Sequence, residues 1–96
     1  MDIICFSHLR WNFVYQRPQH LLKRFAQHAR VFFVEEPVFD ADVAHLDNSL
    51  SAEGVWIVVP HLQAGEIDSC ARQILLLQDF FRYFKVTDYI CWYYTP

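Results

Sequence analysis

A chain of 96 residues with 54% hydrophobic, 18% aromatic and only 20% charged side chains folds around a core and is not a disordered tail. Its net charge of −3 supplies no basic field for nucleic acid. No apolar run approaches the ~20 residues of a bilayer-spanning helix. The start at Met1 lacks the basic and apolar regions of a signal peptide, and three cysteines without a CxxC pair fit a reducing cytoplasm better than a disulfide framework. At this length the chain reads as one small domain or half of a larger one. A unit this small buries roughly 60 to 70% of its surface, so part of its aromatic content is expected to cover a further domain.

In chain order, Ile3, Ile4, Cys5 and Phe6 predict a strand over 2–6 covered on both faces, the pattern of a central parallel strand. A loop rich in aromatic, arginine and histidine side chains follows. A helix is expected from Pro18, where the missing N–H costs nothing, to about residue 28. Leu21, Leu22, Phe25, Ala26 and Ala29 form its packed side, and Lys23, Arg24, Gln27 and His28 its wet side. Val31, Phe32, Phe33 and Val34 make a second buried strand and complete a right-handed βαβ unit.

Residues 38–54 turn polar and acidic. They read as a long excursion, with a short strand near 45–50 that pairs back as a hairpin through 51–54. A third strand over 55–59 is expected to stop at Pro60. Asp68 or Ser69 is suited to cap a helix over 69–85. Cys70, Ile74, Leu77, Phe81 and Phe84 follow its spacing, and Leu75, Leu76, Phe80 and Tyr83 widen the apolar face until the helix should be sandwiched between the sheet and something else. A last strand covers 89–94. The class is α/β with an open, mainly parallel sheet and flanking helices.

Function is expected in the loop after the first strand, because open α/β folds bind ligands at the carboxyl edge of the sheet. His8, just past that strand, suits a general base. Arg17 and His20 stand near the free N–H groups and positive dipole end of the helix, where they suit a phosphate, carboxylate or sugar hydroxyl. The plain alternative is a surface cation and a packed imidazole. Trp11, Phe13 and Tyr15 make an apolar or sugar-stacking wall, or else pin the loop to the sheet.

Glu35 and Glu36 end the second strand, where a dinucleotide-binding fold keeps its ribose-binding acid. The two glycines, Gly54 and Gly65, do not follow the first strand. The Rossmann fingerprint and the P-loop are therefore absent, which disfavours nicotinamide or ATP and leaves Glu35 and Glu36 to be read as helix-facing or loop-ordering groups. The five histidines form no metal motif. His20 and His28 share a helix face but stand about 12 Å apart by helical rise. Cys5, Cys70 and Cys91 fall on strand interiors and the helix core face, and are expected to be inert buried thiols.

Four stretches, SHLRWNFVYQRPQHLL at 7–22, VFFVEEP at 31–37, PHL at 60–62 and WYYTP at 92–96, together resemble the amino-terminal part of bacterial glycosyltransferases of the GT-B architecture. The nearest type is the family-one or teichuronic-acid-biosynthesis-like group, and the WxFVxQRPQH block is the most specific part. The resemblance implies half of a GT-B architecture. A Rossmann-like domain spanning 1–96 would be the acceptor-side piece of a longer two-domain enzyme, inactive alone. The whole enzyme would move a sugar from a nucleotide-sugar donor to a cell-envelope or other glycan acceptor, in the cytoplasm and in peripheral contact with the membrane, without a metal or other cofactor.

On that likeness His8 is the base toward the acceptor hydroxyl, and Arg10, Trp11, Asn12, Arg17, His20, Glu35, His61 and Thr95 meet substrate. Asn12 stands where related sequences often carry Asp, so no carboxylate base is assigned there. The competing expectation is a non-catalytic βαβ module that binds a nucleotide or docks on another protein through its aromatic loop and apolar second helix, with a homodimer as one form of such docking.

Overall fold

The computed structural model describes residues 1–7 and 17–94, with the backbone alone at 17–20 and 94. In chain order the elements are β1 (Asp2–Ser7), α1 (Arg17–Phe25), β2 (Arg30–Val34), β3 (Val38–Ala41), β4 (His45–Leu50), β5 (Trp56–Gln63), α2 (Ser69–Tyr83) and β6 (Tyr89–Tyr94). All six strands belong to one sheet. β1 is internal, parallel to β2 on one side and to β6 on the other, and β2 is parallel to β5. Ile4 and Cys5, both buried, enter the two different cores on the two faces of the sheet, as an uninterrupted apolar run on a central strand requires.

Each face carries one helix. Leu22 of α1 packs with Cys5, Val31, Phe33 and Val55. On the other face Phe80 of α2, flanked by Leu77, Phe81 and Phe84, closes over Ile4, Phe32, Val34 and Val58. Phe32 has no exposed surface and meets the rings of Phe80, Phe81 and Phe84 edge-on at 5.8, 5.4 and 5.6 Å, the favoured geometry for aromatic quadrupoles. The connection through α1 steps from β1 to β2, whereas the connection through α2 returns from β5 past β2 and β1 to β6. Two crossovers of the same hand that travel in opposite directions place their helices on opposite faces. The fold is α/β with a mainly parallel sheet, and only two helices flank it among the described residues. None of the described helices is long and apolar enough to cross a membrane.

Several expected boundaries move. α1 ends at Phe25, and residues 26–28 continue as a turn, where the Gln27 N–H donates to the Arg24 carbonyl and the His28 N–H to that of Phe25. The bonds have tightened to the spacing common in a last turn, and Phe25 is 40% exposed instead of packed. The excursion at 38–54 is mostly strand. β4 and its hairpin lie where expected, from His45 opposite His61 to Leu50 opposite Trp56, and Gly54 turns the chain at φ 86°, a conformation open to glycine without a Cβ penalty. β3 was not expected, because its partner is the stretch of β5 beyond Pro60.

β5 does not stop at Pro60. The Val58 carbonyl accepts from the Glu35 N–H, so the backbone groups of residue 60 point to that same edge of the strand. There the chain is passing from β2 to β3, between the pair Val34 and Val58 and the pair Val38 and His61. No ladder bond awaits the N–H that proline lacks. His61 lies opposite both Val38 and His45, so β3 and β4 flank β5 on its two edges.

α2 begins as expected, with the Asp68 carboxylate accepting from the Ala71 N–H. It ends at Tyr83, two residues early, in a Schellman turn. The Val86 N–H donates to the Phe81 carbonyl and the Lys85 N–H to that of Arg82, with Lys85 at φ 57°. The widened apolar face is not covered among the described residues, since Ile74, Leu75 and Tyr83 are 50, 55 and 83% exposed. Cys5 is buried, but Cys70 and Cys91 are exposed, contrary to the expectation for all three thiols. Cys91 sits on an outer strand, and Cys70 lies in the first turn of α2, outside its packed stripe.

Candidate functional site

The carboxyl ends of the parallel strands come together where β1 is flanked by β2 and β6. A strand order that runs outward from β1 in both directions leaves a crevice at its carboxyl end, the place where open α/β sheets receive ligands. A cavity of about 220 Å³ lies there, lined among others by Ser7 of β1, by Glu35, Glu36 and Pro37 after β2, by Gln73 of α2 and by Tyr93 of β6. The Tyr93 ring stacks on Phe6 at 5.3 Å and 17°, forming an aromatic floor. Ser7 and Glu35 are each 7% exposed. A carboxylate and a hydroxyl in the lining put oxygen acceptors at this end of the crevice, a chemistry that suits a hydroxyl-bearing ligand better than an anion.

Of the residues singled out in the sequence, Glu35 lines this crevice. Arg17 opens α1 and His20 lies within it. His8, Arg10, Trp11, Asn12, Phe13, Tyr15 and Thr95 lie outside the described residues. His61 is not at the crevice. It sits near the end of β5 in a second polar group, on the β3, β4 and β5 side of the sheet. Its Nδ1 lies 2.8 Å from Asp40 Oδ1 of β3, and its Nε2 lies 2.9 Å from Asp47 Oδ2 of β4. The His45 ring stacks on it at 5.0 Å and 5°.

Sequence reading missed Asp40, His45 and Asp47 as partners of His61. A signal for two of them was present. Once the hairpin turns at 51–54, counting back along antiparallel strands sets His45 opposite His61 and puts Asp47 two residues away on the same face.

A larger hollow of about 780 Å³ runs between α2 and β6, lined by Ile4, Phe6, Phe81, Val86, Tyr89 and Cys91 among others. It lies alongside the strands instead of at their carboxyl ends and is mainly apolar. It marks the side of the sheet that α2 leaves uncovered. Elsewhere the strongest electrostatic feature is structural. Arg30 donates from Nε and Nη2 to the two oxygens of Asp2, both at 2.8 Å, and the hydrogen bonds to Asp2 raise its pKa above the ordinary guanidinium value. Burial pushes the Cys5 thiol up to about 11.

Compared with known proteins, the chain is matched by no family model, no curated protein and no solved structure.

Proposed function

We propose that this chain is the Rossmann-like, acceptor-side part of a GT-B-type glycosyltransferase that acts in the cytoplasm, moving a sugar from a nucleotide-sugar donor to a cell-envelope or other glycan acceptor. The observation that carries the reading is the position of β1. It is internal and parallel to both neighbours, so its last residue, Ser7, stands at the carboxyl edge of the sheet and lines the crevice. The motif that resembles the transferases follows Ser7 directly in the sequence. In this reading His8 takes the proton of the acceptor hydroxyl, while Arg17 and the start of α1 meet an anionic group of the substrate. The aromatic floor and the Glu35 carboxylate favour a sugar over a purely anionic ligand.

The test is sugar transfer by the full-length protein, with a panel of uridine- and guanosine-diphosphate sugars and glycan acceptors. Arg17→Ala is expected to lower transfer about 10- to 100-fold without shifting the thermal unfolding curve. Absence of transfer from every donor, or a reading frame that ends at Pro96, overturns the reading. A second reading, a non-catalytic docking module, is favoured by Ile74 and Leu75 of α2 and Tyr93 of β6, each at least half exposed. It takes over if the reading frame does end there.

A further inference from the structure

We propose that His45, Asp47 and His61 bind one divalent transition-metal ion of the zinc class, with Asp40 as the residue that positions His61. The inference does not depend on the transferase reading. It begins with a count of protons. A neutral imidazole has one N–H to give, yet each ring nitrogen of His61 faces a carboxylate, Asp40 at 2.8 Å and Asp47 at 2.9 Å. Carboxylate oxygens only accept. With the Nδ1 proton given to Asp40, Nε2 turns a lone pair toward the lone pairs of Asp47, and something positive must lie between them, either a second proton or a metal ion.

The neighbouring ring favours the ion. His45 Nδ1 is 2.8 Å from the Val43 carbonyl, which can only accept, so that nitrogen carries the proton. Its Nε2 then presents a lone pair, 3.7 Å from Asp47 Oδ1. The Val43 carbonyl holds His45 in one tautomer, and an ion at Nε2 would select the matching tautomer of His61, with its Nδ1 proton given to Asp40. This is the outer arrangement that orients metal-bound histidines. A proton shared by His61 and Asp47 satisfies that pair alone and leaves the His45 nitrogen to solvent, whereas one ion joins all three groups.

The distances fit. One donor atom from each of the three residues lies within 4.8 Å of the others. Metal bonds of about 2.0 to 2.2 Å in tetrahedral array separate neighbouring ligands by about 3.4 Å, against 2.9 Å from His61 Nε2 to Asp47 Oδ2 and 3.7 Å from His45 Nε2 to Asp47 Oδ1. The His45 ring, stacked parallel to His61 at 5.0 Å, must turn for both Nε2 lone pairs to meet at one ion. Two imidazoles and one carboxylate select zinc-like ions over magnesium or calcium, which prefer oxygen throughout. The His45 and Asp47 side chains are 50 and 65% exposed, so a fourth position opens to solvent. The ion would join β4 to β5, and through Asp40 would reach β3. β4 has little apolar burial of its own, since Leu46 is the one residue of that strand that is not exposed.

The test is calorimetric titration of the purified protein with zinc chloride, in a Cys70→Ser, Cys91→Ser background so that the exposed thiols do not compete. One equivalent is expected to bind with a Kd of order micromolar and to raise Tm, and cobalt in its place should show the visible bands of a tetrahedral ion. His45→Ala and His61→Ala should each weaken binding at least about 10-fold, and Asp40→Asn about 10-fold through the ring that it orients. His28→Ala, in the turn after α1, should leave binding unchanged. Because His45 is largely exposed, His45→Ala remains decisive if His61→Ala does not fold. Absence of zinc binding, unchanged binding in His45→Ala, or an equal response to magnesium would overturn the proposal.

Discussion

Cys5 has no exposed surface, and its thiol holds its proton up to about 11 because the apolar core gives a thiolate no solvation. At pH about 8 a thiol-alkylating reagent is expected to label Cys70 and Cys91 in the folded protein and to reach Cys5 only on unfolding, as peptide mapping would reveal. Equal labelling of all three would disprove it. The same group sets a pH window. Unfolding lets the thiol ionise near its ordinary value of 9.0, so its contribution to stability is intact below that value and is lost as pH rises toward 11. Urea unfolding of Cys5→Ala beside the parent isolates this loss. Burial of Cys5 was legible in its apolar run. Exposure of the other two thiols was not, because helical spacing and strand position do not say which face or edge the fold leaves uncovered.

Lys85 shows an element choosing its end against residue preference. It occupies a left-handed conformation at φ 57° that glycine adopts at no steric cost. The turn persists because Val86 bonds back to Phe81 and both side chains join the core beneath α2. Lys85→Gly should therefore stabilise the protein by about 0.5 to 1 kcal/mol, read as a higher urea midpoint at constant slope. A lower midpoint would show that Lys85 is unstrained. Strands with their own apolar pattern, β1, β2 and β6, were legible from sequence, as was the β4 hairpin from its turn. β3 was not, and neither was the passage of β5 through Pro60. Each depends on which edge of β5 has a partner at a given residue, a property of the assembled sheet.

Arg30 binds three elements together. From β2 it grips both oxygens of Asp2 on β1, and its Nη1 donates to the Phe84 carbonyl at the end of α2 at 2.7 Å. The Arg30 side chain is 42% exposed and that of Asp2 only 10%. The pair matters less for its own attraction than for the carboxylate that its loss would leave desolvated and unpaired. Arg30→Ala is expected to cost about 2 kcal/mol in urea unfolding, and Arg30→Lys to recover only part of it, since an ammonium cannot grip both oxygens as a fork. A loss under about 0.5 kcal/mol would place the pair with ordinary surface ion pairs. At this scale the molecule is uneven. The middle of the sheet is sealed on both faces, while Tyr89, Ile90 and Tyr93 on β6 are more than half exposed.

Local pattern alone determined the α/β class, the central place of β1 and the start of each helix, because apolar period, caps and turns act over a few residues. Tertiary structure alone decided which residues meet. Glu35 lines the crevice at the carboxyl edge, whereas His61 joins Asp40, His45 and Asp47. A strand pairing brings together side chains far apart in the chain, and its register is set by the turn and by the burial of one whole face, not by the residues that finally touch.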